Sequence, residues 1–330
     1  MKQVDPSTVP AVDVAIALNA VLAVVKDEQP KVLCILRDDG SHALPYGPFD
    51  PALHRTLEGG IRDWVTKQTQ ISLGFIEQLY TFGDRGREAP AAALDGSKAD
   101  DRIVSVGYLA LAPEPADMDQ KEAQWLDWYR FFPWEDWRSG PPAILDDVIL
   151  TRLDQWANEA DTKERAARRA ARINLAFGHD AYGWEEERIL DRYELMFEAG
   201  LLEESHRNRN APQENASIAH SLAMHSDHRR ILATAISRLR GKLKYRPIIF
   251  EMMGPAFTLL QLQKTVEAIV GFGLHKQNFR RSVEKSGFIE PTNKTVHQPS
   301  GRPAALFTAD KAGIRAAAAN GLTIPRLKRQ

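Results

Sequence analysis

Two apolar runs stand near the start of the chain, DVAIALNAVLAVV from Asp13 to Val25 and KVLCILR from Lys31 to Arg37, with DEQP between them and DDGS after. Short apolar runs bounded by such turn residues predict two neighbouring strands. From Ala52 to Gln70 the period changes: Leu53, Leu57, Ile61, Trp64 and Val65 recur at helical spacing. The strand-like ISLGFIEQLYTFGD and RIVSVGYLALAP follow, and the aromatic cluster WLDWYRFFPWEDW, Trp125 to Trp137, is expected to pack against a sheet edge. Strands alternating with a helix predict an α+β or α/β domain.

From about Ile144 to His225 the pattern turns helical, with DDVILTRLDQWANEA and EEERILDRYELMFEAGLLEES broken by a polar loop from Ser205 to Ser217. A helix in DHRRILATAISRLRGKL follows, with Asp227 suited to cap it and Ile231, Leu232, Ala235, Ile236 and Leu239 on one face. Three short helical patterns come next: RPIIFEMM, FTLLQLQKTVEAIV and LHKQNFRRSVEKSGF. Thr258 suits an N-cap of the second, Gly271 and Gly273 make a turn, and Gly287 stops the third, which predicts a helix-turn-helix. In its last helix Phe279 and Val283 anchor one face, while Lys276, Gln277, Asn278, Arg280, Arg281 and Glu284 are left for solvent. The segment IEPTNKTVHQPSGRPAALFTAD reads as a β-hairpin wing, with Lys294 and Arg302 placed to reach a DNA backbone or minor groove.

Charge sharpens this reading. Of the 330 residues, those from His225 onward carry 19 Lys and Arg against 6 Asp and Glu, whereas the first 224 carry 24 against 38, so a net charge of -1 conceals a basic domain on an acidic body. Clustered cations beside a helix-turn-helix point to phosphate contacts and base readout, with Arg and Lys suited to guanine edges and Gln to adenine. The alternatives are a solvated basic surface or a winged helix used for protein contacts. The single cysteine, Cys34, lies in an apolar run and is expected to be a buried strand residue. No run of about 18 uncharged apolar residues and no basic-then-apolar leader is present, which predicts a cytoplasmic protein without a membrane segment. His42, His54, His225 and His228 form no metal-ligand pattern, so no metal is expected.

The motifs LPYGPFDP, IEQLYTFGDRGR and VSVGYLALAP resemble a Nudix domain of the kind fused to a winged helix in the NrtR family of regulators of NAD metabolism. FTLLQLQ, KQNFRR, SGFIE and GRPA resemble the same family in the same order. The resemblance implies an α+β chain: a Nudix-like α/β/α effector domain over 1–145, a helical insertion over 146–224, and a linker helix with a winged helix-turn-helix over 225–330. An altered box and an insertion of about eighty residues make it similar to the NadQ-type repressors of NAD synthesis genes. Active Nudix enzymes hold Mg²⁺ on successive helix glutamates, and here Leu53 stands at the first such position, with Arg62, Asp63, Val65, Thr66, Lys67 and Gln68 further on. The resemblance then implies an inactive domain with no required cofactor, sensing NAD, ADP-ribose or ATP through Tyr46, Arg62, Phe82, Asp84, Arg85 and Arg87. It further implies a homodimer on palindromic operator DNA, contacted by Thr258, Lys276, Gln277, Asn278, Arg280, Arg281, Lys294 and Arg302. The rival readings are an active hydrolase of ADP-ribose-like substrates and a ligand-free dimerisation domain.

Overall fold

A computed structural model describes residues 13–88, 94, 102–115, 122–206, 221–244, 246–297, 303–310 and 312–314. Strand β1 (Val14–Lys26) comes from the first apolar run and is buried along most of its length, as expected of a strand covered on both faces. A two-residue turn, with Asp27 and Glu28 both at positive φ, folds the chain back into β2 (Gln29–Leu36), as a tight hairpin requires. Short strands β3 (His42–Ala43) and β4 (Tyr46–Pro48) pair with β2 and β1, and β7 (Ala123–Asp127) pairs antiparallel with β2. On the other side β1 runs parallel to β6 (Arg102–Leu111), from Val14 opposite Arg102 to Ala23 opposite Leu111, and β5 (Phe75–Phe82) pairs antiparallel with β6.

Side chains alternate across this mixed sheet. Leu18, Ala20, Leu22, Leu33 and Tyr108 face helix α1 (Leu57–Thr69) through Ile61 and Val65. The helix is shorter than its apolar spacing predicts: Thr56 caps it by accepting from Gly59 N at 2.9 Å, and Leu53 lies in the preceding turn, 73% exposed. A hydroxyl that satisfies a first-turn N–H sets the start of the helix more strongly than one further apolar residue upstream.

Val21, Ala23, Val32, Cys34, Leu109 and Leu111 face the opposite way, into the larger core. Cys34 is buried there as expected, and burial pushes its thiol far above the usual range. The insertion supplies α2 (Thr151–Asn158), α3 (Lys163–Phe177) and α4 (Ile189–Glu198), and is followed by α5 (His228–Leu243). The helix predicted as a linker, α5, packs on β1, β5 and β6 and is the second helical layer of the sheet. The loop expected from Ser205 to Ser217 falls mostly outside the described residues. At the C-terminal end α6 (Leu259–Val270), α7 (Lys276–Ser286) and the hairpin β8 (Ile289–Val296) and β9 (Ala304–Ala309) make a winged helix. The first of the three helical patterns predicted there is only a 3-10 turn, Ile248–Met252, because Pro247 precedes it and Gly254-Pro255 follows within a few residues.

The aromatic cluster does more than cover a sheet edge. After β7 the chain makes two 3-10 turns, Trp128–Arg130 and Pro133–Glu135, that turn Trp128, Phe131, Phe132 and Trp134 into the core shared by sheet, insertion and winged helix. Glu135 follows them in, fully buried. It accepts from Arg192 of α4 at 2.6 and 2.8 Å and from Arg240 of α5 at 2.8 Å. Burial alone would raise its carboxyl; the two guanidiniums outweigh that and hold it below the usual range. Arg240 also donates to Ile269 O in α6 at 2.9 Å and to the Tyr129 hydroxyl at 3.2 Å, and that hydroxyl donates to Ala268 O at 2.8 Å. Trp137 N donates to Gly271 O at 2.6 Å. At Gly271 φ is +84°, and an added Cβ would lie 2.4 Å from Glu135 O, so no other residue fits without a shift.

Asp227 precedes α5 where a cap was expected, yet its carboxylate makes no capping bond. It turns instead to Arg230 at 3.2 Å and Arg87 at 3.4 Å. Burial raises its carboxyl to about 7; Arg87 and Arg230 pull it down and the nearby Glu194 carboxylate pushes it up.

Two outcomes are expected in urea unfolding. Glu135→Ala leaves two arginines buried without their anion and lowers stability by about 3–5 kcal/mol. A carboxyl raised in the folded state favours folding when protonated, so the Asp227 contribution is full below about pH 4 and is lost as pH rises through about 7. Comparing melts at pH 5 and pH 8, Asp227→Asn should lose less stability across that interval than the unaltered chain.

Candidate nucleic-acid interface and ligand groove

The face offered by α7 is set by the helix before it. Thr258 caps α6 in a reciprocal box: its hydroxyl accepts from Gln261 N at 3.1 Å, and Gln261 Oε1 accepts from Thr258 N at 2.8 Å. At the other end Glu267 Oε1 accepts from Leu274 N at 2.9 Å and from the Gln263 amide at 2.8 Å, and that amide also donates to Leu274 O at 2.9 Å. Burial would raise the Glu267 carboxyl, but these donors and Lys264 keep it lowered, so it stays an acceptor. The turn between the helices is thereby locked by Gln263 and Glu267, two residues that the apolar pattern did not single out. Phe279 is buried and Val283 packs behind it, which leaves Lys276, Gln277, Asn278, Arg280 and Arg281 exposed on α7 as predicted. Arg280 is held by Glu284 one turn on, at 3.0 Å.

Lys294 is exposed on β8, next to the wing's irregularity at Asn293, where φ is +57°. Phe257 and Phe307 exchange backbone bonds of 2.8 and 2.9 Å and fix the wing to the start of α6. Gly301 and Arg302 lie outside the described residues. Thr258 itself is buried, its hydroxyl engaged in the cap.

The six residues expected around an effector are engaged with different parts of the fold. Tyr46 stands on β4 with its hydroxyl accepting from Arg37 and its ring 5.0 Å from His228. Arg62 bonds Glu58 and the carbonyls of Leu73 and Gly74, stapling α1 to the loop before β5. Arg85 is exposed. Phe82, Asp84 and Arg87 do converge, but on protein groups. Arg230 of α5 pairs with Asp84 and with Glu194 at 2.5 Å each and lies over the Phe82 ring. Arg87 bonds Glu194 at 2.6 Å and lies 3.8 Å above Phe197. Arg62 and Arg87, both expected at the effector site, thus have internal partners.

The chain before α1 is closely packed at Gly47. A Cβ on Gly47 would lie 2.2 Å from the Trp64 indole, whose N–H donates to Pro48 O at 2.8 Å. Glu58 and Asp63 are the acids of α1, Glu58 bonded to Arg62 and Asp63 3.9 Å from His54. Among the described residues no group of three or more His, Cys, Asp or Glu could hold a metal ion.

Open space lies elsewhere. A groove of about 1090 Å³ separates β5 from α3, α4 and α5; of the six expected residues only Phe82 lines it. Its walls come from the insertion and from α5, segments in which the periodicity predicted helices but no site. Among the described residues no helix is long and apolar enough to cross a membrane.

Comparison with known proteins bears on both parts. Residues 249–309 match the NrtR DNA-binding winged helix domain. The ADPR responsive transcriptional repressor NtrR of Acinetobacter baylyi is 38% identical over 81 residues, 24% of this chain and 32% of that protein, so the match spans about a third of the relative's length. The crystal structure of Shewanella oneidensis NrtR complexed with a 27mer DNA superposes with a TM-score of 0.55 at 19% identity, covering 95% of this chain and 99% of that one. The same protein without DNA gives 0.53 at 19% identity over the same shares. Residues 249–309 thus match the winged-helix domain of NrtR proteins, and the chain as a whole has the fold of Shewanella oneidensis NrtR.

Proposed function

We propose that the protein is a DNA-binding transcriptional repressor of NAD-related genes whose Nudix-like domain senses ADP-ribose or a related adenine nucleotide. The observation that carries this is the exposed face of α7. Lys276, Gln277, Asn278, Arg280 and Arg281 project from a helix of eleven residues, held by a locked turn inside the segment that matches a DNA-binding domain. A helix so presented enters the major groove, with Arg281 and Gln277 suited to base edges and Lys276, Arg280 and Lys294 to phosphates. Arg302 is a further cation for DNA in this reading. Similarity to an ADPR responsive repressor supports ADP-ribose as the effector.

Repression by a homodimer on a palindromic operator, in the cytoplasm, follows from the same reading, because a two-fold protein matches two half-sites. Residues 1–145 form the sensing domain, 146–224 an insertion and 225–330 the DNA-binding part, with α5 shared between them. The domain senses without hydrolysing: the two acids of α1 are too few to replace a cluster of glutamates around Mg²⁺. The effector acts by binding one arrangement of sheet domain and winged helix better than the other.

Fluorescence anisotropy on operator DNA over a salt series tests the interface. Arg280→Ala/Arg281→Ala should weaken binding and flatten the slope of log K against log salt by about 0.9 for each phosphate that is no longer neutralised; an unchanged slope would count against α7 as the DNA-binding helix. A turnover assay with ADP-ribose and Mg²⁺ should give no product. Turnover that disappears in Asp63→Ala would establish the hydrolase instead.

A further inference from the structure

Resting on the reading of the protein as a ligand-responsive regulator, we infer that the effector's seat is the groove between β5 and the α3–α4–α5 wall, and that it takes a nucleotide, with its base on Tyr80 and its phosphate on Arg238 and Lys242. Size points there first. About 1090 Å³ stands at the upper end of small-molecule sites and has room for a dinucleotide-sized compound.

Charge points the same way. Most ionised groups in the lining are already engaged: Arg172 with Glu198 at 2.6 and 2.7 Å, Arg230 with Asp84, Asp227 and Glu194, and Glu187 with Lys244 at 2.7 Å, a lysine that Glu186 shares at 3.0 Å. Arg238 and Lys242 are different. They stand one turn apart on α5 and share a single carboxylate, Glu77 of β5. Lys242 bonds it, whereas Arg238 is 3.9 Å away, its side chain 47% exposed. Lys242 is engaged by that carboxylate, so the half-exposed Arg238 guanidinium, 3.9 Å from it, is the donor fork this end of the groove offers to a phosphate.

The aromatic rim completes the site. Tyr80 is 61% exposed, an unusual position for a large ring, and meets Phe82 edge-on at 5.3 Å, so its outer surface is open to a planar base. The floor behind it, Leu175, Leu190 and Leu195, is apolar.

The location supplies a route to the winged helix. Arg238 and Lys242 flank Arg240, the side chain that holds Ile269 O of α6 and the Glu135 carboxylate. Ser237 and Arg240 donate to Glu187 O and Glu186 O and lock the same stretch of α5 to the turn before α4. A ligand seated across this stretch bears on the helix that carries the winged helix. The insertion then acquires a role as the far wall of the effector site.

Isothermal titration of the full chain with ADP-ribose, NAD and ATP separately tests the assignment. At least one should bind, with affinity falling at least about tenfold in Tyr80→Ala and in Arg238→Ala/Lys242→Ala. Tyr80→Phe and Arg62→Ala should leave it within about twofold; circular dichroism melts confirm that each variant is folded. Loss of binding in Arg62→Ala with the groove variants unaffected would move the site to α1 and overturn the inference. Absence of binding by all three compounds to the unaltered chain would overturn it as well. That outcome leaves the DNA-binding reading standing, because anisotropy on operator DNA is measured without ligand.

Discussion

Much of the architecture depends on one buried carboxylate. Glu135 sits where sheet domain, insertion and winged helix meet, sealed from solvent, so its charge is tolerable only while Arg192 and Arg240 both hold it. Each arginine spends further donors on other elements: Arg192 on the carbonyls of Ala176 and Glu185, Arg240 on the carbonyls of Glu186 and Ile269 and on the Tyr129 hydroxyl. The result is a polar hub inside an apolar core, with Trp184 stacked 3.8 Å from the Arg192 guanidinium. Apolar packing alone tolerates sliding; a multidentate hub does not. It specifies how α6 stands against the sheet, and with it the direction in which α7 points.

That constraint gives the chain a mechanical logic. The recognition face is set by Gln263 and Glu267 at the turn, the turn is attached through Gly271 and Tyr129 to the aromatic segment, and α5 connects that segment to the sheet. Helix α5 is therefore both a layer of the sheet domain and the mount of the winged helix. In the proposed reading, ligand groups that meet α5 on its groove side act on the residues next to Arg240, and need no lever longer than one helical turn.

Much of this was legible in the sequence. The winged helix could be read because its signals are local: Thr258 three residues before Gln261, Gly271 and Gly287 after helical runs, Phe279 and Val283 one turn apart. The buried run of β1 and the opposite charges of the two halves were equally plain. What could not be read depends on distance along the chain. Glu135 is 57 residues from Arg192 and 105 from Arg240, and nothing in either neighbourhood marks the pairing. The same holds for Arg87 and Glu194, 107 residues apart, so an arginine expected at the effector site is occupied by an acid of the insertion. Leu53 misled because apolar spacing continues past the point where Thr56 starts the helix. The groove has no local signature because its walls come from three segments, β5, the insertion and α5, that are far apart in sequence.

The most direct test of a ligand-responsive repressor is a mobility-shift titration of the full chain on its own upstream DNA and on DNA upstream of NAD-synthesis genes, at fixed salt, with and without ADP-ribose, NAD and ATP. The expected result is a specific complex that survives competitor DNA and whose affinity one of the three compounds changes. No specific complex under any of these conditions would contradict it.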